Sequence, residues 1–226
     1  MKAALDTDVC VCRLDVRQQI WRCPHFRYWK VQRRFTSVSN IIHTVLPTDY
    51  SAVDAAVLEN ARVRGQFIDI YFSEWLTSPD VMLSPLEFRE LITPDFTRDT
   101  YKNAVEHAED TRVRLERLLA WWGSSQLKAT HVQHIVHSDA DGVAGTFDFG
   151  TEEKIIDLKC VSQLQPSYAL QLGAYLAMDE QKFPLRDPAV LHVTKDKIKL
   201  IPYDGKKCKR QWQSAAAWYF TLQELA

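Results

Sequence analysis

The sequence predicts a single α/β domain in which a central mixed β-sheet is flanked by helices. Three observations carry that expectation. Residues 143–149 and 154–160 alternate in the period-2 manner of strands, and the short connector between them contains glycine, which favours an antiparallel hairpin. A helix should follow at once, because Pro166 suits a first helical position and Ala169, Leu172 and Leu176 repeat at the spacing of one buried face. Longer helical stripes at 101–122 and from about Lys206 supply cover for the sheet. At 226 residues and 26.2 kDa, the chain is long enough to bury one substantial core. The division expected is 1–125, an N-terminal strand or hairpin with helices, and 126–226, the core, with no repeat, low-complexity tract or linker between them.

Composition narrows the function classes. With 46% hydrophobic and 25% charged residues the chain is an ordinary globular sequence. A net charge of -1 means that any nucleic-acid path must be a local patch rather than a global field. Five cysteines, at 10, 12, 23, 160 and 208, contain no C-x-x-C pair, which argues against a disulfide framework and a zinc site. No apolar run approaches membrane-spanning length and the N-terminus lacks a signal-type apolar region, so a soluble, intracellular, cytoplasmic protein is expected.

Taken in order, residues 8–22 alternate well enough for one or two strands, with Cys10 and Cys12 as small buried side chains. Residues 22–34, RCPHFRYWKVQRR, mix Arg27, Lys30, Arg33 and Arg34 with aromatic residues. Cations bind phosphates and aromatics stack on unpaired bases, so this is a candidate nucleic-acid patch; a solvated strand with its own apolar anchors has the same composition. A helix opens after Ser37 or Ser39 and stops by Pro47. Residues 50–64 read as a helix with Val53, Ala56, Val57 and Ala61 inward, leading through Gly65 into a second apolar segment, Phe67 to Leu76. Ser84-Pro85-Leu86-Glu87 resembles a capping box, so a short helix to Ile92 follows. The 101–122 helix buries Val105, Ala108, Leu115, Leu118, Leu119 and Trp122, and Gly123-Ser124-Ser125 ends it.

Residues 131–137 alternate as a strand carrying three histidines whose i, i+3, i+6 spacing does not place them on one face. In 143–149, Thr146 and Asp148 fall on one face and Phe147 and Phe149 on the other; in 154–160, Asp157 and Lys159 oppose Ile156, Leu158 and Cys160. Gln171 and Tyr175, four apart on the next helix, share a face. A hairpin about Lys195-Asp196 and a last helix carrying Cys208, Trp212, Ala215, Tyr219 and Leu222 complete the chain. Lys206, Lys207, Lys209 and Arg210 at the start of that helix are a solvated end or a phosphate contact.

An Asp-x-Lys triplet alone says little, since alternating charges line the solvated face of many edge strands. Asp148 across a turn and a polar helix face behind it change the reading. Mg2+ prefers oxygen ligands and is usually held by one or two carboxylates plus a substrate phosphate. Asp148 and Asp157 supply carboxylates, the Leu158 backbone carbonyl a plausible third oxygen, and Lys159 a positive charge to orient water or stabilise developing negative charge. Gln171 suits a hydrogen bond to a metal water or a phosphate, and Tyr175 the same or stacking on a base.

Gly145-Thr146-Phe147-Asp148, then Ile155-Ile156-Asp157-Leu158-Lys159, then Gln171-Leu172-Gly173-Ala174-Tyr175, resembles the PD-(D/E)xK nuclease superfamily. The specific likeness is to its RecB-like exonuclease branch, including the phage-type and mitochondrial genome maintenance members, and it covers about a third of the chain closely. The resemblance implies a restriction-endonuclease-like fold and Mg2+- or Mn2+-dependent hydrolysis of DNA phosphodiester bonds, most naturally from strand ends and in repair, recombination or phage replication. The catalytic set it implies is Asp148, Asp157, Lys159, Gln171 and Tyr175, with Asp148, Asp157, Leu158 and Asp69 toward the metal. Two positions depart from it: Asp69 stands where relatives carry a histidine, and Gln133 where they often carry a glutamate. Some relatives hold an iron-sulfur cluster with one early and three late cysteines; only Cys208 follows Cys160 here, so no cluster is expected. The departures keep two other functions open, a non-catalytic nucleic-acid- or protein-binding regulator and a structure-specific endonuclease.

Overall fold

The computed structural model describes residues 13–15, 20–22, 28–30, 33–78, 85–96, 101–179 and 186–225. Strands β1 (Arg13–Asp15), β2 (Ile20–Arg22), β3 (Tyr28–Lys30) and β4 (Arg33–Ser37) form an antiparallel meander. Five more strands follow the helical half: β5 (His131–Ser138), β6 (Val143–Gly150), β7 (Lys154–Lys159), β8 (Asp187–Val193) and β9 (Ile198–Pro202). With β4 they make a six-stranded mixed sheet. Parallel pairing joins β7 to β8 through the crossover helix between them, and antiparallel hairpins join β5 to β6, β6 to β7 and β8 to β9.

The helices are α1 (Val38–Val45), α2 (Ala55–Thr77), α3 (Pro85–Ile92), α4 (Tyr101–Ser125), α5 (Ser167–Asp179) and α6 (Gly205–Glu224). Their starts follow capping chemistry: Ser37 accepts from the Asn40 amide, Asp54 from those of Ala56 and Val57, and Asp204 from that of Lys207. Where the sequence suggests two segments about Gly65, the structure has one continuous helix. A glycine costs about 1 kcal/mol in a helix interior, and burial of Val63, Ile68, Tyr71 and Phe72 along α2 outweighs it. The inward face is accordingly different from the expected one: Val57 is 56% exposed, and Val53 lies before the helix, also exposed. Similarly, α4 runs through Gly123 to Ser125. None of the described helices is long and apolar enough to cross a membrane.

Helices cover both faces of the sheet. On one side Ile41 of α1, Leu172 of α5 and Trp212 of α6 pack with Phe147, Ile155 and Val190. On the other, Ile68 and Phe72 of α2 and Leu118 and Trp122 of α4 pack with Phe149, Ile156, Leu158 and Leu191. A smaller cluster, including Val63, Ile92, Phe96 and Ala108, ties α2, α3 and α4 together. Along β7 and β8 the alternation is regular: Ile155 and Val190 face α5, while Ile156, Leu158, Ala189 and Leu191 face α2 and α4. The expected pairing of faces in β7 therefore holds.

In β6 it does not. Phe147 packs beside Tyr175 of α5, whereas Phe149 packs edge-on against Phe72 and Trp122. Two residues apart, they lie on opposite sides of the sheet. The facing strand supplies the cause, because Gln133 has φ of 49°, a left-handed conformation uncommon for a residue with a side chain. Val132 opposes Phe149 and His134 opposes Phe147, so no residue is inserted. The register is kept while the phase of both strands slips by one face at the Gln133 and Asp148 level. The same slip lets the His131 and His134 rings meet, with centroids 4.6 Å apart, although the sequence places them on opposite faces.

Candidate active site

β5 pairs with β6 from end to end, so β4 and β7 must share the other edge of β6. β4 pairs only with Val143 and Ala144, and β7 only with Phe149 and Gly150. Between them, among the described residues, the edge of β6 from Gly145 to Asp148 has no neighbouring strand. A cleft of about 310 Å³ opens at this fork and is walled by residues of α1, α2, β5, β6, β7 and α5. Buried backbone donors need partners, and Asp148 provides one: its Oδ2 accepts from the Leu158 amide at 2.6 Å, bridging the gap where the ladder stops.

Asp157 and Lys159 reach the cleft from the α5 face of β7. Asp157 is 1% exposed. Its Oδ2 lies 2.5 Å from the Lys159 ammonium yet is off the alignment of a good hydrogen bond, so this buried oxygen keeps unused lone-pair capacity. The ammonium also sits 5.0 Å from the centroid of the Tyr168 ring. Burial lowers the Lys159 pKa, but Asp157 and Asp148 more than offset it and the net shift is upward, so the lysine stays charged. Cys160 turns away into the apolar layer, where burial pushes its thiol up to about 12 and makes it a poor nucleophile.

On α5, the Gln171 side-chain amide donates to the Tyr175 hydroxyl at 2.7 Å. The Tyr175 ring is 3% exposed and packs over Gly145, whose missing side chain makes room for it: a Cβ there would lie 2.7 Å from Tyr175 Cε1. The hydroxyl end borders the cleft, but the ring has no open face, so base stacking by Tyr175 is excluded by its packing. From the opposite wall, Gln133 Nε2 donates to Asp69 Oδ1 at 2.9 Å and to Ser73 Oγ at 3.1 Å. Asp69 and Gln133 thus belong to the same cleft as Asp148, Asp157 and Lys159.

Burial, then the charges of Asp69 and Asp157, push the Asp148 carboxyl well above the ordinary carboxylate range, against the opposing pull of Lys159 and the Leu158 amide. Three carboxylates face the Lys159 ammonium, and the Arg62 guanidinium that also lines the cleft is already paired with Glu59, which leaves a surplus of negative charge that a hard divalent cation would neutralise. The Asp148 and Asp157 carboxylates, the unused lone pairs on Asp157 Oδ2 and the Leu158 carbonyl between the acid and the lysine fit such an ion. Among the described residues no three His, Cys, Asp or Glu side chains gather as a metal-holding set. Asp69 borders the same cleft as Asp148 and Asp157.

The structure brings together Asp69, Asp148, Asp157, Leu158, Lys159, Gln171 and Tyr175 as expected. Of the basic patch, Arg27 lies outside the described residues, Lys30 and Arg33 are placed as strand backbone, and the Arg34 side chain is exposed. Two contributors escape sequence reasoning. Ser73 is one turn beyond Asp69 on α2 and Tyr168 one turn before Gln171 on α5, and these i,i+4 and i,i+3 spacings were the available signal.

No family model and no curated protein matches the chain. Among solved structures, a presumed exonuclease from Eubacterium rectale is 15% identical and superposes with a TM-score of 0.51 over 81% of this chain and 77% of its own. A second, SSO0001, is 12% identical, covers 77% of this chain and 89% of its own, and reaches a TM-score of 0.31, too low to carry an argument. The first likeness establishes a nuclease-like α/β fold.

Proposed function

We propose that the chain is a Mg2+- or Mn2+-dependent deoxyribonuclease acting on the ends of single- or double-stranded DNA. The observation that carries the reading is the meeting of Asp148, Asp157 and Lys159 in the one place where the edge of β6 is left open. A divalent cation held by Asp148, Asp157 and the Leu158 carbonyl would supply Lewis acidity and activate water. The chain's own groups do the rest. Lys159, fixed in its charged state by the two acids, is placed to stabilise negative charge developing on phosphoryl oxygens. The Gln171 and Tyr175 pair offers a fixed polar edge for a phosphate or its water, and Asp148, tied to the Leu158 amide, keeps β6 and β7 at a set spacing. The nuclease-like fold and the exonuclease assignment of the Eubacterium rectale protein support the same class of chemistry.

The test is cleavage of end-labelled single- and double-stranded DNA by the purified full chain with Mg2+, Mn2+ or EDTA. Hydrolysis is expected with either metal and lost with EDTA or in Lys159→Ala; cutting that survives both removes the mechanism. Covalently closed circles separate end-dependent from internal cutting: circles left intact support the exonuclease reading, and circles that are cut support the structure-specific endonuclease. One observation favours a non-catalytic scaffold as the second reading: the charge of Lys159 is already answered by Asp157 at 2.5 Å. DNA binding without cleavage under every metal condition would establish that reading.

A further inference from the structure

We propose that Gln133 is a positioning residue for Asp69, and that the pair forms a built second wall of the cleft which tunes how tightly the site holds a divalent cation. What the pair serves rests on the nuclease reading; the coupling between its members does not. Four observations converge. First, Gln133 holds a left-handed backbone, φ 49°, inside a strand whose register is intact on both sides. Such a conformation is strained for a residue with a side chain and persists only where the surroundings require it. With no inserted residue to absorb, its effect is to change where the side chain goes.

Second, the side chain goes to α2. Its Nε2 spends one hydrogen on Asp69 Oδ1 at 2.9 Å and the other on Ser73 Oγ at 3.1 Å. An ionised carboxylate only accepts, so the amide orientation follows from chemistry: the reverse would set oxygen against oxygen. Two anchors on successive turns of one helix hold the amide at a fixed angle. Third, Asp69 stands on the same cleft as Asp148 and Asp157, on the wall opposite β7, so its carboxylate faces the space where those two acids meet. Fourth, neutrality matters at this position. A glutamate at 133 would bring another carboxylate against Asp69 in a cleft that already holds three, whereas an amide binds Asp69 without adding charge.

Residues that orient groups around a metal typically change affinity by about 10- to 100-fold when removed. The experiment is a double-mutant cycle on the full chain: wild type, Gln133→Met, Asp69→Asn and the double variant, with Mn2+ affinity measured by calorimetry in the absence of DNA and thermal midpoints measured in EDTA. Each single change should weaken Mn2+ binding about 10-fold, and the double variant should be no weaker than either single one, because the two act as a unit. Gln133→Gly separates positioning from folding: glycine accepts the left-handed backbone without strain, so its EDTA midpoint should match or exceed wild type while its Mn2+ affinity falls as in Gln133→Met. Additive effects, unchanged Mn2+ affinity in Gln133→Met, or a wild type that binds no Mn2+ would each overturn the proposal. A coupled cycle in a protein that cleaves no DNA would uphold it and remove the nuclease reading; active protein with additive effects would do the reverse.

Discussion

Asp148 Oδ2 and the Leu158 backbone nitrogen are 2.6 Å apart, so a side chain of β6 completes the hydrogen bonding of β7 where the two strands separate. One carboxylate thus serves the fold and the cleft together. Asp148→Ala should leave the Leu158 amide without its acceptor and cost about 1–3 kcal/mol, the usual penalty for an orphaned buried group. Asp148→Asn keeps an acceptor and removes a charge that burial, Asp69 and Asp157 all disfavour. In EDTA the asparagine variant should be more stable than wild type, and both variants should lose DNA cleavage. Urea unfolding in EDTA orders the three proteins; an alanine variant as stable as the asparagine one would show that the amide contact contributes nothing.

The same residue sets a pH dependence. The folded-state pKa of Asp148 is raised well above the ordinary 3.8 of an aspartate, so folding favours the protonated form. Its contribution to stability is full below that unfolded value and is lost as pH rises through the raised folded one. Metal-free protein should therefore lose stability as the pH rises above about 4 because of this group, and Asp148→Asn should flatten that part of the profile. Thermal midpoints in EDTA across that range test it; roughly 1 kcal/mol corresponds to about 2–4 °C for a domain of this size. A profile identical in wild type and variant would assign the slope elsewhere.

At the far end of α5, Asp179 and Arg186 form an ion pair at 3.5 Å whose side chains are 1% and 2% exposed, and Arg186 Nη2 also meets His131 Nδ1 at 3.0 Å. Removing one partner of a buried pair leaves an uncompensated charge and costs about 3–5 kcal/mol. Arg186→Met should show that loss in chemical denaturation, and the Arg186→Met/Asp179→Leu double variant should recover part of it. Equal destabilisation in both would mean that the charge pairing is not what the site needs.

Which parts of this arrangement were legible in the sequence follows from local regularity. The sequence places Asp157 and Lys159 on one face over an apolar underside because β7 is an unbroken strand, and Ile156, Leu158 and Cys160 lie in the opposite layer. The hairpin of β6 with β7 and the helix that follows it are legible for the same reason. The faces of β6 were not, because the slip originates in a backbone angle at Gln133 that no residue type announces. Gly65 misled in the other direction: it reads as a break, yet burial along α2 carries the helix through it. Asp69 and Gln133 were recognisable as departures from a family pattern, but their hydrogen bond joins elements 64 residues apart and could only be seen once folded.

Two glycines make contrasting tests of how the site depends on packing. At Gly173 a Cβ would lie 2.2 Å from the Cys208 carbonyl oxygen, so the contact of α5 with α6 permits no side chain there. Gly173→Ala must push two helix backbones apart and should cost at least the roughly 1–3 kcal/mol typical of overpacking. That contact lies on the α6 side, away from the cleft, and the folded fraction should keep most of its cleavage rate. At Gly145 the added carbon would meet the Tyr175 ring at 2.7 Å and Val38 Cγ2 at 2.9 Å. Both neighbours are buried and neither can swing into solvent. Gly145→Ala should therefore displace the Tyr175 hydroxyl and, through their 2.7 Å hydrogen bond, the Gln171 amide. A displacement of about 1 Å can cost 10²-fold in rate. Cleavage per folded molecule, normalised by the denaturation profile of each variant, should fall steeply in Gly145→Ala and little in Gly173→Ala. The opposite order would detach the Gln171 and Tyr175 pair from the chemistry and leave Asp148, Asp157 and Lys159 to account for it.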